Sequence, residues 1–197
     1  MAVSRLSQAT LQNAFPKYNS IWDGRSAVGS MEAISAVTLS ASQSTVEFNN
    51  IPQTYSHLQV RVLLRGTYSG DSRVSYNVQV NKDTGNNYSQ HSLSGDGSVI
   101  TVTGYASQPQ MNIAWITAST SNSSLFSAGV IDFLDYSSTN KNKTMRCLQG
   151  NDRNGAGEIT LTSGCWLNNT TGITSIQMFP YYNNFDTYSS FTLYGFK

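Results

Sequence analysis

The side chains able to do acid–base chemistry near neutral pH are few in this chain. Its two histidines, His57 and His91, are the residues whose type suits them to serve as general bases there. Neither stands in the H-E-x-x-H or G-x-S-x-G spacing that would give it a metal or a serine to work on. Both fall in strand-like stretches, where a solvent-facing histidine is the plain reading. Asp132 and Asp135 invite comparison with the paired carboxylates of glycosidases. An offset of three, however, sends them to opposite faces of one strand and suits them to strand-end and turn hydrogen bonds with backbone N–H groups. The run Asp152-Arg153-Asn154-Gly155-Ala156-Gly157-Glu158 alternates oxygen side chains as calcium loops do. It lacks the ligand at the fifth position and the glutamate at the twelfth, and a hairpin turn accounts for it. The expectation is therefore a protein that is not an enzyme, with no catalytic residue, no metal site and no cofactor.

Two further groups could make contacts without doing chemistry. Tyr181, Tyr182, Phe185 and Tyr188 lie close together among Asn183, Asn184 and Asp186. Aromatic faces beside amides and a carboxylate can stack on sugar rings and read hydroxyls, and they serve equally in a subunit interface or the end of a sandwich core. Cys147 and Cys165 are the two cysteines, too few for a disulfide framework and without zinc spacing. If the hairpin between them centres near Ala156 they face each other across the ladder. Directly paired positions strain a disulfide, so a reduced, partly buried thiol pair is expected.

Composition narrows the classes. Charged residues make up 12% of the chain and the net charge is +1, against about 25% charged in an average globular protein. So few unclustered charges point to neither nucleic acid nor an anionic membrane surface as partner. No run reaches the ~18 apolar residues of a membrane span, and Met1 to Thr10 lacks the basic and apolar regions of a signal peptide. The sequons at Asn87, Asn122, Asn142, Asn168 and Asn169 then follow from the abundance of Asn, Ser and Thr.

From about Ser30 the chain breaks into short apolar or alternating runs bounded by Asn, Asp, Gly, Ser and Pro. Twelve strands are predicted: 33–39, 45–48, 57–64, 73–80, 88–93, 99–102, 111–116, 125–134, 144–149, 158–163, 173–179 and 190–196. Val74, Tyr76, Val78 and Val80 alternate with Arg73, Ser75, Asn77 and Gln79, the mark of a strand with one wet face. Ala128 to Leu134 is more continuously apolar and should be central. The closing run Ser189 to Lys197 is a strand pattern to the last residue and should be paired inside a sheet. Lys82 to Gly85, Ser94 to Gly97 and Asp152 to Gly155 each set a glycine where a positive φ is cheap. The fold predicted for 30–197 is all-β: an antiparallel two-sheet sandwich of jelly-roll type. Residues 1–29 form an arm whose Leu6, Leu11, Phe15, Tyr18, Ile21 and Trp22 are too many for a disordered tail. They pack either on this domain's own sheet or on a neighbouring subunit.

Several blocks carry a resemblance. They are 51–60 (Ile-Pro-Gln-Thr-Tyr-Ser-His-Leu-Gln-Val), 83–88 (Asp-Thr-Gly-Asn-Asn-Tyr), 131–136 (Ile-Asp-Phe-Leu-Asp-Tyr) with 139–144, 154–157 (Asn-Gly-Ala-Gly), and the closing Leu193-Tyr194-Gly195-Phe196-Lys197. In content and order they resemble small virion proteins of tailed bacteriophages, of the kind found in marine and cyanobacterial phages, that close on a Leu-Tyr-Gly-x-Lys strand. The resemblance implies a structural component of the virion: a capsid decoration protein first, a tail-fibre or tail-appendage component next. It also implies partners among other virion proteins, major capsid or tail protein, and copies of itself, with a homotrimer suiting either placement. A carbohydrate-binding module for a host surface glycan is the reading that the aromatic loop adds.

Overall fold

The computed structural model describes residues 31–168 and 170–197. The predicted arm, with Leu6, Leu11, Phe15, Tyr18, Ile21 and Trp22, lies outside the described residues. All twelve predicted strands are present: β1 Met31–Thr38, β2 Val46–Phe48, β3 His57–Leu64, β4 Arg73–Val80, β5 Tyr88–Gly95, β6 Ile100–Gln108, β7 Met111–Thr117, β8 Ser127–Leu134, β9 Lys143–Asp152, β10 Gly157–Trp166, β11 Ile176–Pro180 and β12 Ser190–Phe196. There is no helix among the described residues.

The strands form an eight-stranded sheet, ordered β1-β12-β3-β8-β9-β10-β5-β6, and a four-stranded sheet, ordered β2-β11-β4-β7. Every ladder is antiparallel. Setting aside the β5–β6 and β9–β10 pairs leaves β1-β12-β3-β8 facing β2-β11-β4-β7. In each of these quartets, strands from the start of the chain alternate with strands from its end, which is the double Greek key of a jelly roll. The two extra pairs continue the first sheet past β8, making it twice as wide as its partner. β12 lies between β1 and β3, and β8 lies mid-sheet, as the closing pattern and the apolar run predicted.

The core is the apolar inner row of each quartet. Leu58, Val60, Val62 and Leu64 of β3 and Phe191 and Leu193 of β12 meet Val74, Tyr76, Val78 and Val80 of β4 and Ile176 and Met178 of β11, all buried. Phe185 is fully buried, with edge-to-face contacts to Phe191 at 5.0 Å and Tyr76 at 6.4 Å between ring centres. The Arg65 guanidinium, also buried, donates to the carbonyls of Ser119, Ser121, Asn122 and Leu125 and lies 3.5 Å from Asp186. It satisfies a turn of backbone that no strand can.

Because the large sheet is wider, β5 and β6 overhang β7, the edge of the small one. An open edge is a liability, and here side chains of the large sheet close it. Gln90 Oε1 accepts from Asn112 N at 2.6 Å and Ser127 Oγ from Thr117 N at 2.8 Å, while Thr162 Oγ1 donates to the Ile113 carbonyl and Asn151 Nδ2 to that of Trp115.

Three local expectations are corrected. β4 has no wet face: Ser75, Asn77 and Gln79 are buried along with the apolar row. Alternation reveals which residues are apolar, not whether the polar row is roofed, and here Gln79 donates to the Pro109 carbonyl and Tyr181 N to that of Ser75. The turn after β4 takes its positive φ at Asn81 and Lys82 (52° and 54°) rather than at Gly85. Asn81 is held there because its side chain accepts from Thr174 N and Ser175 N and donates to the Gly172 carbonyl. The β9–β10 hairpin turns at Asn154-Gly155, φ 63° and 95°, the two-residue geometry that matches strand twist. That register pairs Cys147 with Thr162 and Cys165 with Thr144, so the cysteines do not face each other. Cys147 is buried, Cys165 half-buried, and both are free.

Candidate functional site

The residues with acid–base potential are engaged in structure. His57 Nδ1 accepts from the Asp135 backbone N–H at 3.0 Å, and the imidazole is partly exposed. His91 lies on the outer face of β5, packed over Gly104 of β6. Asp132 accepts from Gln59 Nε2 and Arg146 Nε, at 2.8 and 2.9 Å. Asp135 is one residue past β8, at φ 49°, where strand parity no longer applies, and its carboxylate takes Lys141 Nζ at 2.6 Å. The hydrogen bond and charge of Lys141 hold its pKa below the ordinary value. Both carboxylates thus serve side-chain partners, not the backbone N–H groups expected of them. In the Asp152 turn, Oδ1 caps Asn154 N and Gly155 N, and buried Glu158 pairs with Arg73. No cluster of three metal-ligating side chains occurs among the described residues. Burial pushes the Cys147 thiol up to about 12, leaving it inert as a nucleophile.

The aromatic loop divides. Phe185 belongs to the core, which removes it from any contact surface. Tyr181, Tyr182 and Tyr188 are exposed. Tyr182 stacks on Tyr68, with centres 4.9 Å apart and planes at 21°, and meets Tyr181 edge-on at 4.7 Å. Beside them on β7 stands Trp115, 37% exposed, with the Arg73 guanidinium 4.6 Å from its ring centre. Arg73 in turn pairs with Glu158, so the ring is held by a charge that is itself anchored. Tyr68, Tyr181, Tyr182, Trp115, Asp71 and Asn112 border an open hollow.

Asn112, Trp115 and Tyr181 also border a second, deeper cleft of about 350 Å³ under the overhang. Its one wall is the inner row of β5 and β6, Ser92, Ser94, Thr101 and Thr103, with Tyr105 exposed at the rim; β7 is the opposite wall. Tyr188 lines neither hollow. Tyr68, Tyr105 and Trp115 were not among the sequence candidates because they sit far from the loop in sequence. The broken alternation of Ile113-Ala114-Trp115-Ile116 was the available signal: it marks the bulge opposite Tyr76 and Asn77 that turns Trp115 outward.

A second surface lies on the other side of the overhang. Leu148, Leu161, Leu93 and Val102 are exposed and lie in one cross-strand row of β9, β10, β5 and β6. Ile159 and Ile100 occupy the neighbouring row, linked through Gly95. Towards the β9–β10 hairpin the buried row is polar instead, Gln149, Asn151, Glu158, Thr160 and Thr162, and it turns apolar at Met145, Cys147 and Trp166 farther along. Over that stretch the usual polarity of alternation is reversed.

Comparisons with protein-family models, with curated proteins and with solved structures each find no match for the chain.

Proposed function

We propose that this chain is a non-enzymatic structural protein of a tailed-phage virion, a capsid decoration protein on the particle surface, whose copies associate through the outer face of β9, β10, β5 and β6. The observation that carries the reading is the reversed alternation. A monomeric soluble protein rarely exposes a contiguous apolar patch of more than a few hundred Å², and larger ones mark interaction surfaces. Here six aliphatic side chains cluster on one face next to β6, an edge strand without charge or proline, with Arg146 and Asp152 of β9 at the margin of the cluster. An unprotected edge of this kind is open to pairing with another chain. The phage placement is supported by the sequence blocks that resemble virion proteins, and a tail appendage is the alternative position on the same particle.

Three experiments test it. In sedimentation the chain should run as an oligomer, and Ile159→Lys with Leu161→Lys should return it to a folded monomer. A wild-type monomer at micromolar concentration would sink the self-association. Cryo-electron microscopy of the purified virions should find copies over the icosahedral shell. Copies confined to the tail would make the protein an appendage, and absence from the particle would remove the virion reading. Deleting 1–29 should abolish incorporation while leaving the sandwich folded.

A further inference from the structure

We propose that the cleft between the β5–β6 overhang and β7 is a binding site for a short neutral saccharide. Four features of its lining point to that ligand. First, no charged residue lines it, so nothing there would recompense the desolvation of a carboxylate or phosphate. Second, hydroxyls form one wall: Ser92 and Thr103 are bonded to each other at 2.6 Å, with Ser94 and Thr101 beside them. Each hydroxyl both donates and accepts, as sugar hydroxyls require. Third, rings stand at the mouth: Trp115, Tyr181 and Tyr105 are exposed by 37, 55 and 51% beside the hydroxyl and amide side chains of the lining. Such faces suit the C–H side of a pyranose.

The fourth feature is the floor. Asn77 is 1% exposed and lines the cleft, and its Nδ2 has no acceptor among the described residues. A buried amide without a partner is costly, so a polar group here is under pressure to be used. The register bulge between Tyr76 and Asn77 sets the two asparagines, Asn77 and Asn112, opposite each other, and the Asn112 backbone N–H is already taken by Gln90. The pair places amide groups beneath the rings, the arrangement that reads ring hydroxyls. A volume of about 350 Å³ lies at the small end of small-molecule sites and fits a short saccharide unit rather than a polymer along its length. The site is separate from the apolar outer face, so it stands or falls independently of the assembly proposed above.

The test is saturation-transfer NMR on the full chain with maltose, lactose, cellobiose, chitobiose and mannobiose as probes, and sialic acid as the charged comparator. At least one neutral disaccharide should receive saturation, with weak affinity. Trp115→Ala should abolish the transfer, and Asn77→Leu should weaken binding about tenfold, corresponding to ~1.4 kcal/mol. Thr103→Glu, on the exposed edge strand and away from the core, should also abolish it in a protein whose near-ultraviolet dichroism is unchanged; that variant keeps the test valid if Trp115→Ala fails to fold. No transfer to any neutral probe overturns the proposal. Transfer unaffected by Thr103→Glu, or stronger for sialic acid than for the neutral sugars, overturns it as well.

Discussion

The quartet half of the large sheet and its overhanging half are built from the same kind of strand and carry opposite polarity. In β3 the inner row is Leu58, Val60, Val62 and Leu64, and the outer row includes the polar Gln59 and Arg61. In β10 the inner row runs Glu158, Thr160 and Thr162 before it reaches Gly164 and the buried Trp166, and the outer row includes Ile159 and Leu161. The small sheet covers the first and ends at β7, beneath the second. Thus the apolar row turns inward where a second sheet can bury it. Where the second sheet runs out, polar residues instead serve the edge of β7 and line a cleft, and the apolar row faces outward. A sheet extended past its partner acquires two surfaces for contact, which the compact half cannot offer.

The sharpest break of this contrast is a matched pair of substitutions. Phe185→Ala in the quartet core should cost about 3–5 kcal/mol in chemical denaturation. Ile100→Ser on the overhang's outer face should leave the monomer's stability within about 0.5 kcal/mol of wild type. Equal costs would show that the outer row is not free in the isolated chain. A smaller effect is expected at the β9–β10 hairpin turn. Gly155→Ala, at φ 95°, forces a side chain into the left-handed region and should cost about 1–2 kcal/mol, read as a lowered denaturation midpoint.

The smallest effect lies at the joint between the halves. Asp83, on the connection leaving β4, accepts from Trp166 Nε1 at 2.7 Å, from Asn87 Nδ2 and from Gly85 N. Burial opposes its ionisation, but these hydrogen bonds outweigh it and hold the pKa below the usual 3.8. With the folded value below the unfolded one, the contribution to stability is complete above the unfolded value and is lost as pH falls through the folded value. Asp83→Asn should therefore lower the neutral plateau of the stability profile slightly and flatten its acid limb, converging with wild type below the folded value. An unchanged acid limb would mean the carboxylate does not clamp Trp166.

The legible part of this protein and the illegible part separate on physical grounds. Period-2 patterns and turn residues are local, and they placed all twelve strands, the central positions of β8 and β12 and the jelly-roll class, because a strand's two faces are written within eight or so residues. Asn154-Gly155 was legible as a turn, but the neighbouring choice of Ala156 as its centre moved the cysteine register by three. The aromatic loop showed three tyrosines and a phenylalanine; that Phe185 alone is buried depends on Phe191 and Tyr76, which come from strands of the two sheets. Trp115, Tyr105 and Asn77 converge on one cleft only through the overhang of β5–β6 past β7.

What the sequence determined alone was the all-β architecture and the existence and order of its strands, since each follows from residue types and their nearest neighbours. Which face of each strand met the core was decided by the tertiary structure. Alternation is symmetric between the two sides of a sheet, and only the place where the second sheet ends settles whether the apolar row points in or out.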